Sequence, residues 1–141
     1  DALTEQEIVV PFWDLVKDPM WKNVEIDMSE AIDLRDTDGR DAAWYAAKAL
    51  ESVIKIISDS KGWTTGKEKG AVNFIENIGS KANGYFIDTW ESDMLKDFFG
   101  KVRNPFGHGA GNAEMPELTD EQTDWAIETC MSWSKSLIER L

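Results

Sequence analysis

Apolar residues recur every three or four positions along most of the chain, which is the spacing of an amphipathic α-helix. The first clear pattern opens at Asp18, an N-cap residue that is followed by Pro19 at the first helical position, and it runs to Arg35. Residues 24–28 also alternate as a strand would. Good helix formers follow them, so we predict a helix here rather than a strand.

The strongest helical pattern runs from Arg40 to about Ser58, after a turn signal in which Asp38 is predicted to cap the helix. Its apolar stripe is wide and begins with small residues that let a neighbouring helix approach closely: Ala42, Ala43, Ala46, Ala49, Leu50, Val53, Ile54 and Ile57. Glu51 and Lys55 stand four residues apart and therefore share a face of this helix.

Three further helices are predicted along the rest of the chain. A short one covers Ala71 to about Ile78, and a longer one covers about Thr89 to Val102. The apolar residues of the longer helix are predicted to face inward: Trp90, Met94, Leu95, Phe98, Phe99 and Val102. Thr119 and Gln122 form a capping box that opens a final helix, which reaches the C-terminus.

The pattern as a whole predicts an all-α fold, a bundle of about four to five helices with short connections. We expect residues 1–17 to form an N-terminal arm or short helix, and residues 18–141 to form the helical domain. Cys130 falls within the apolar period of the last helix and is predicted to be a core residue.

Composition and charge narrow the classes of function. The 141 residues include 27 acidic and 15 basic side chains, giving a formal net charge of −12, which argues against attraction of the whole surface to nucleic acid or anionic lipid.

One cysteine excludes an intramolecular disulfide and indicates a reducing, cytoplasmic setting. No apolar run is long enough to cross a membrane. The chain starts at Asp1 without methionine, so we expect a processed chain or an excised domain.

The segment 100–109 carries the residues best suited to chemistry. It places the only histidine, His108, five positions after Arg103, at the broken end of an aromatic-rich helix. Arginine offers planar, always-charged donors to a phosphate, and histidine exchanges a proton near neutral pH. Asn104 adds an amide that can donate to a phosphate oxygen. From spacing alone, a histidine that only satisfies a backbone carbonyl is the simpler interpretation.

These residues nevertheless resemble a known family. Arg103 to Gly109 reads R-N-x-x-x-H-G and matches the Arg-x4–6-His motif of the HEPN superfamily, whose members often carry a polar residue directly after the arginine. The stretch 102–111 is similar to the C-terminal domain of AbiJ-like abortive-infection proteins, in which a last apolar helix follows. The run A-L-E-S-x-x-K at residues 49–55 resembles that family's long helix. The resemblance covers about residues 18–141.

The resemblance implies a HEPN-like bundle that acts as a metal-independent endoribonuclease, without a cofactor, in antiviral defence or a toxin system. It also implies a homodimer in which two copies of the motif face one another. Carried over to this chain, it makes Arg103 and His108 the catalytic pair and Asn104 their polar neighbour. Four residues separate Arg103 from His108, the shortest spacing that the motif allows, and Pro105 is expected to stiffen the segment.

The chemistry of RNA cleavage independently favours a dimer. Attack by the 2′-hydroxyl needs a base for that hydroxyl, an acid for the leaving oxygen and positive charge at the phosphate. One chain has a single histidine, so it lacks a second group whose ordinary pKa lies near neutrality. Two His108 side chains across a two-fold interface would supply both groups, and two Arg103 side chains would face the phosphate.

Several other residues have two open interpretations. Glu51 and Lys55 either lie near the motif, orienting His108 or holding a phosphate, or form an ordinary i,i+4 ion pair. Lys48 and Arg40 are predicted to be solvated charges. The rings of Trp63 and Trp90 could stack on bases, but packing in the core or against a loop is the simpler role.

Two stretches are basic islands in the acidic chain, because residues 55–69 and 96–111 each carry a net charge of +2. Lys101 lies in the second island, and we predict that it supports RNA binding together with Asn104, Glu51 and Lys55. The expected partners are an RNA substrate, a second copy of the chain, and an additional N-terminal domain or partner protein. The alternative function is a non-catalytic HEPN-like module that docks or regulates a basic partner protein.

Overall fold

The computed structural model describes residues 1–103 and 117–141, and these residues form six helices. The helices are α1, which comprises Ala2–Thr4, a π-helical stretch over Glu5–Val9 and Val10–Leu15; α2, Lys22–Asp36; α3, Ala42–Ser60; α4, Ala71–Gly79; α5, Thr89–Phe98, continued by a π-helical stretch over Phe99–Arg103; and α6, Asp120–Glu139. The all-α prediction is confirmed. The strand alternative for residues 24–28 is wrong, because they lie inside α2. None of these described helices is both long and apolar enough to cross a membrane.

Helix α3 is the centre of the bundle and packs against α2, α4 and α6. All the residues of its predicted apolar stripe are buried, and five buried alanines near its start leave room for neighbouring helices. The prediction that Asp38 caps α3 is wrong. Asp41 occupies the N-cap position instead, and both residues have the positive φ angles (54° and 72°) of a tight turn.

Helix α5 buries only part of the apolar set that was predicted to face inward. Leu95, Phe98 and Phe99 are buried as predicted, but Trp90 and Met94 face outward and are 60% and 53% exposed, so the prediction for these two residues is wrong. They stand four positions apart and therefore share a stripe, whereas Glu91 and Leu95 form the buried one. Burial of the Glu91 carboxylate is possible because the Arg140 guanidinium neutralises it.

Helix α6 begins where the sequence places it. Thr119 Oγ1 accepts a hydrogen bond from the Gln122 backbone at 3.1 Å, and Gln122 Oε1 accepts one from the Thr119 backbone at 2.9 Å, so the predicted capping box is confirmed. Cys130 is buried in the core as predicted, and this burial raises the pKa of its thiol. An inert, structural cysteine follows from that environment.

The polar loop between α3 and α4 is organised around Glu68. Its carboxylate accepts hydrogen bonds from the backbone and hydroxyl of Thr65 and from the backbone of Gly66, at 2.9–3.1 Å. The hydrogen bonds from Thr65, its backbone first, lower the pKa of Glu68 to about 2. In the same region Trp63 packs edge-on against Phe86, as the packing interpretation predicted. The part of the first basic island that follows α3, residues 61–69, therefore lies in a structured loop.

Candidate functional site

The π-helical end of α5 brings Arg103 onto the surface of α3. Phe99–Arg103 continues α5 with the wider i→i+5 hydrogen-bond pattern of a π-helix, and this stretch packs against α3. Phe99 is buried and anchors the stretch in the core. The first residue of the Arg-x4-His motif is thus attached to a rigid helical scaffold.

Two side chains of α3 hold the Arg103 guanidinium. Its Cζ atom lies 4.3 Å from the centre of the Trp44 ring, which is a cation–π contact, and its Nη2 atom lies 3.5 Å from Glu51 Oε1. The side chains of Arg103 and Glu51 are only 20% and 13% exposed. Because partial burial strengthens electrostatic attraction, an aromatic face and a carboxylate together fix the direction of this cation.

The residues around Arg103 form a polar stripe along α3. Trp44, Lys48, Glu51 and Lys55 are spaced by four, three and four positions, so they share one face of the helix. Lys48 Nζ lies 5.5 Å from the ring centre of Trp44 and 3.6 Å from an Asp27 oxygen. The Lys48 side chain is 43% exposed, which agrees with the prediction of a solvated charge, and its ammonium also has an aromatic and an acidic partner.

The structure brings three of the predicted site residues together. Glu51 pairs with Lys55 at 3.1 Å through one carboxylate oxygen, as the ion-pair interpretation predicted, and its other oxygen faces Arg103, so the glutamate also lies near the motif. Its part in orienting His108 or holding a phosphate stays a prediction. Lys101 lies apart from them, since it is strongly exposed and pairs with Asp97. Asn104 and His108 lie outside the described residues, and their roles stay predictions.

The residues that the structure describes engage few of the donors of the Arg103 guanidinium. It has five N–H groups, and within residues 1–103 and 117–141 only the 3.5 Å ion pair with Glu51 engages them. Its Nε atom is buried without a hydrogen-bond partner among those residues, as is the Nε1 atom of Trp44. Both atoms are closed to solvent, so a phosphate would bind the guanidinium through its other N–H groups, whose bonds to phosphate oxygens are charge-assisted.

Trp44 also lines a cavity of about 470 Å³ between the end of α2 and the first turns of α3 and α6. Its described lining includes two guanidiniums, those of Arg35 and Arg40, and five carboxylates, those of Asp38, Asp41, Glu117, Asp120 and Asp124. The excess of carboxylates disfavours a phosphate there. Arg40 is exposed, which agrees with the prediction of a solvated charge, and it lines this cavity beside acidic residues.

Sequence reasoning missed Trp44 as a member of the site. The available signal was its i,i+7 spacing to Glu51, which places both side chains on the face that Lys48 and Lys55 share. The closeness of Arg103 to this face has no local signature, because 52 positions separate it from Glu51.

An all-α bundle whose long central helix steadies the arginine of an Arg-x4-His motif has the architecture of HEPN-like helical domains. The chain belongs to the Abi_C family, described as a HEPN-like domain, whose family model matches residues 22–141. The recognition of the HEPN superfamily is thereby confirmed, and the family is an abortive-infection-associated one. A search of curated proteins and a search of solved structures found no match.

Proposed function

We propose that this chain is a metal-independent endoribonuclease domain that cleaves RNA through 2′-hydroxyl attack. The observation that carries the proposal is the position of the Arg103 guanidinium, which lies 4.3 Å from the centre of the Trp44 ring and 3.5 Å from Glu51. Two side chains of α3 orient this guanidinium, and a guanidinium held in a fixed direction can donate to an anion.

The two predicted catalytic residues have different roles in the reaction. A neutral His108 imidazole takes the proton of the 2′-hydroxyl, and the resulting oxygen attacks the adjacent phosphorus. The bond from phosphorus to the 5′-oxygen breaks, and that oxygen takes a proton from a second, protonated imidazole. Arg103 donates to the phosphate oxygens, where negative charge grows in the transition state. The products are a 2′,3′-cyclic phosphate and a 5′-hydroxyl.

The need for two imidazoles makes a homodimer part of the proposal. Each chain contains one histidine, so the base and the acid would come from different copies of the chain. Each copy would also bring one Arg103, already fixed on its own α3. The stripe of Trp44, Glu51 and Lys55 would then lie behind both arginines.

RNA cleavage in the presence of EDTA tests the activity. We expect the protein to cut an end-labelled RNA and to leave a 2′,3′-cyclic phosphate, whereas the same RNA with 2′-O-methyl groups stays intact because it has no free 2′-hydroxyl. His108→Ala should not cut. The matched control is Lys17→Ala, which removes an exposed ion pair with Asp14 at the end of α1. Absence of cleavage by the unmodified chain at high concentration, or cleavage by His108→Ala, would refute the proposal.

Mixing the unmodified chain with His108→Ala tests the shared site. Heterodimers of these two chains hold one imidazole, so under the proposed mechanism they are inactive and only dimers of two unmodified chains cut RNA. At constant total concentration and after exchange, we expect the cleavage rate to fall with the square of the fraction of unmodified chain. A rate that falls in direct proportion to that fraction shows that each chain acts alone.

A non-catalytic HEPN-like module that docks a partner protein is the second candidate. Exposed tryptophans on the surface formed by α5 and α6 favour it. The cleavage assay separates the two candidates, since a docking module leaves the labelled RNA intact.

A further inference from the structure

Helices α5 and α6 run antiparallel, and side chains join them at two points. The Glu91 carboxylate accepts hydrogen bonds from Arg140 at 2.9 and 2.7 Å at one end, and the Phe98 and Trp125 rings meet at 6.0 Å at the other. Between these contacts lies a groove of about 410 Å³, which we call the tryptophan groove. Its main lining residues are Ile8, Trp90, Trp125, Glu128, Trp133 and Arg140.

The tryptophan groove exposes large aromatic surface to solvent. Trp90 is 60% exposed and Trp125 is 51% exposed, and Met94 extends the same face of α5 by one turn. Three of the seven tryptophans of the chain line this one groove. Tryptophan is the residue type most enriched among side chains that dominate binding energy at protein interfaces, and contiguous exposed apolar surface marks an interaction site.

The helices around the tryptophan groove are strongly acidic. Helix α1 carries three acidic residues and no basic one, the α-helical part of α5 (Thr89–Phe98) carries three and one, and α6 carries five and one, so their net charges are −3, −2 and −4. The π-helical end of α5, which carries Lys101 and Arg103, does not line the groove. Glu128 lies in the groove and forms no ion pair with any residue that the structure describes. Such a surface attracts a cationic partner and repels RNA, although tryptophan rings can stack on bases.

We propose that the tryptophan groove docks a basic, amphipathic segment of a partner protein. Apolar side chains of the segment would pack on Trp90, Trp125 and Trp133, and its lysines or arginines would face Glu128 and the indole faces. From Trp125 to Arg140 the groove follows about 22 Å of helix, at 1.5 Å per residue, which matches a helical segment of about 15 residues. The proposal goes beyond RNA cleavage and stands without it.

A second copy of the chain fits the tryptophan groove less well. Each copy has a net charge of −12, so pairing two copies through this surface would bring together helices that are acidic on both sides. A cationic segment instead neutralises the surface on which it lands. Charge complementarity therefore selects the basic partner.

A designed peptide pair tests the proposal. The probe is a synthetic, fluorescently labelled helix of about 16 residues with leucines on one face and lysines on the other, and its control has glutamates in place of the lysines. We expect the lysine peptide to bind and the glutamate peptide not to. Trp90→Ala combined with Trp125→Ala should weaken binding at least tenfold. The control variant Ile26→Ala removes an equally exposed apolar side chain from α2 at the same net charge and should bind as the unmodified chain does.

Four results would overturn the proposal. The first is equal binding of the two peptides, and the second is no binding of the lysine peptide by a chain whose circular dichroism shows it folded. The third is unchanged affinity in the double tryptophan variant, which would assign the binding to diffuse charge. The fourth is evidence that something else occupies the tryptophan groove. It would be found if the double variant abolished self-association of the chain in sedimentation, or if it abolished binding of a single-stranded RNA.

Discussion

Replacing Arg103 by lysine is expected to lower the rate of RNA cleavage about 100-fold while the helical fold stays intact. The lysine keeps the positive charge, but its ammonium cannot stack flat on the Trp44 ring or present two parallel N–H groups to a phosphate. Loss of one preorganised donor at a developing charge typically costs 100- to 1,000-fold in rate. Single-turnover cleavage measures the effect, and circular dichroism checks the fold.

The matched control for Arg103→Lys is Arg35→Lys. Arg35 is also half-buried on a helix, and its partners, Asp36 at 3.1 Å and Asp124 at 3.8 Å, do not belong to the α3 stripe. We expect this variant to cleave RNA at the unmodified rate. If Arg103→Lys is as active as Arg35→Lys, the guanidinium has no special part in the reaction and charge alone suffices.

Replacing Glu91 by glutamine is expected to lower the free energy of unfolding by about 2 kcal/mol at pH 7. The substitution breaks a nearly buried pair and leaves the Arg140 guanidinium, which is 33% exposed, without its counter-charge. Breaking a fully buried pair costs about 3–5 kcal/mol, and the partial exposure of Arg140 reduces that figure. Urea denaturation measures the loss. Glu76→Gln, at an exposed pair with Lys96, is the control and should change stability by less than about 0.5 kcal/mol.

The loss of stability caused by Glu91→Gln should become smaller as the pH falls. The hydrogen bonds and charge of Arg140 lower the pKa of Glu91 below its ordinary value of 4.5 in the folded chain. A carboxyl with a lowered folded pKa contributes stability above its unfolded pKa, and this contribution is lost as pH falls through the folded value. The difference in the free energy of unfolding between the unmodified chain and Glu91→Gln should therefore become smaller below about pH 4. If this difference in the free energy of unfolding stayed constant from pH 7 to pH 3, the loss of stability would come from packing and not from charge.

The central helix was predictable from sequence because one signal dominated it. The apolar stripe of α3, from Ala42 to Ile57, has a single period and one continuous face. Helix α5 offered two apolar stripes, with Trp90 and Met94 on one and Leu95 and Phe98 on the other. Local pattern could not choose between them, because the choice depends on Arg140, which compensates the buried Glu91 from 49 positions away.

The contacts of the candidate site likewise differ in how well the sequence predicts them. The Glu51–Lys55 pair follows from helical spacing, and the structure contains it at 3.1 Å. The contact of Glu51 with Arg103 depends on how α5 packs against α3, which periodicity does not encode. Trp44 was overlooked for a related reason, since a tryptophan at helical spacing normally indicates core packing, and only the presence of Arg103 above its ring gives it a second role.

The π-helical stretch Phe99–Arg103 has a consequence for how this domain tolerates insertions and deletions. A π-helical turn is an α-helical turn with one residue inserted, and each residue of an α-helix advances the chain by about 100° around the axis. Deleting one residue between Phe99 and Arg103 would allow α5 to continue as a regular α-helix, and the guanidinium would keep nearly the same direction, because the wider turn already absorbs the extra residue. A deletion elsewhere in α5 would instead rotate all the residues after it by about 100°, so the domain should tolerate the loss of a residue at this turn better than at any other point of the helix.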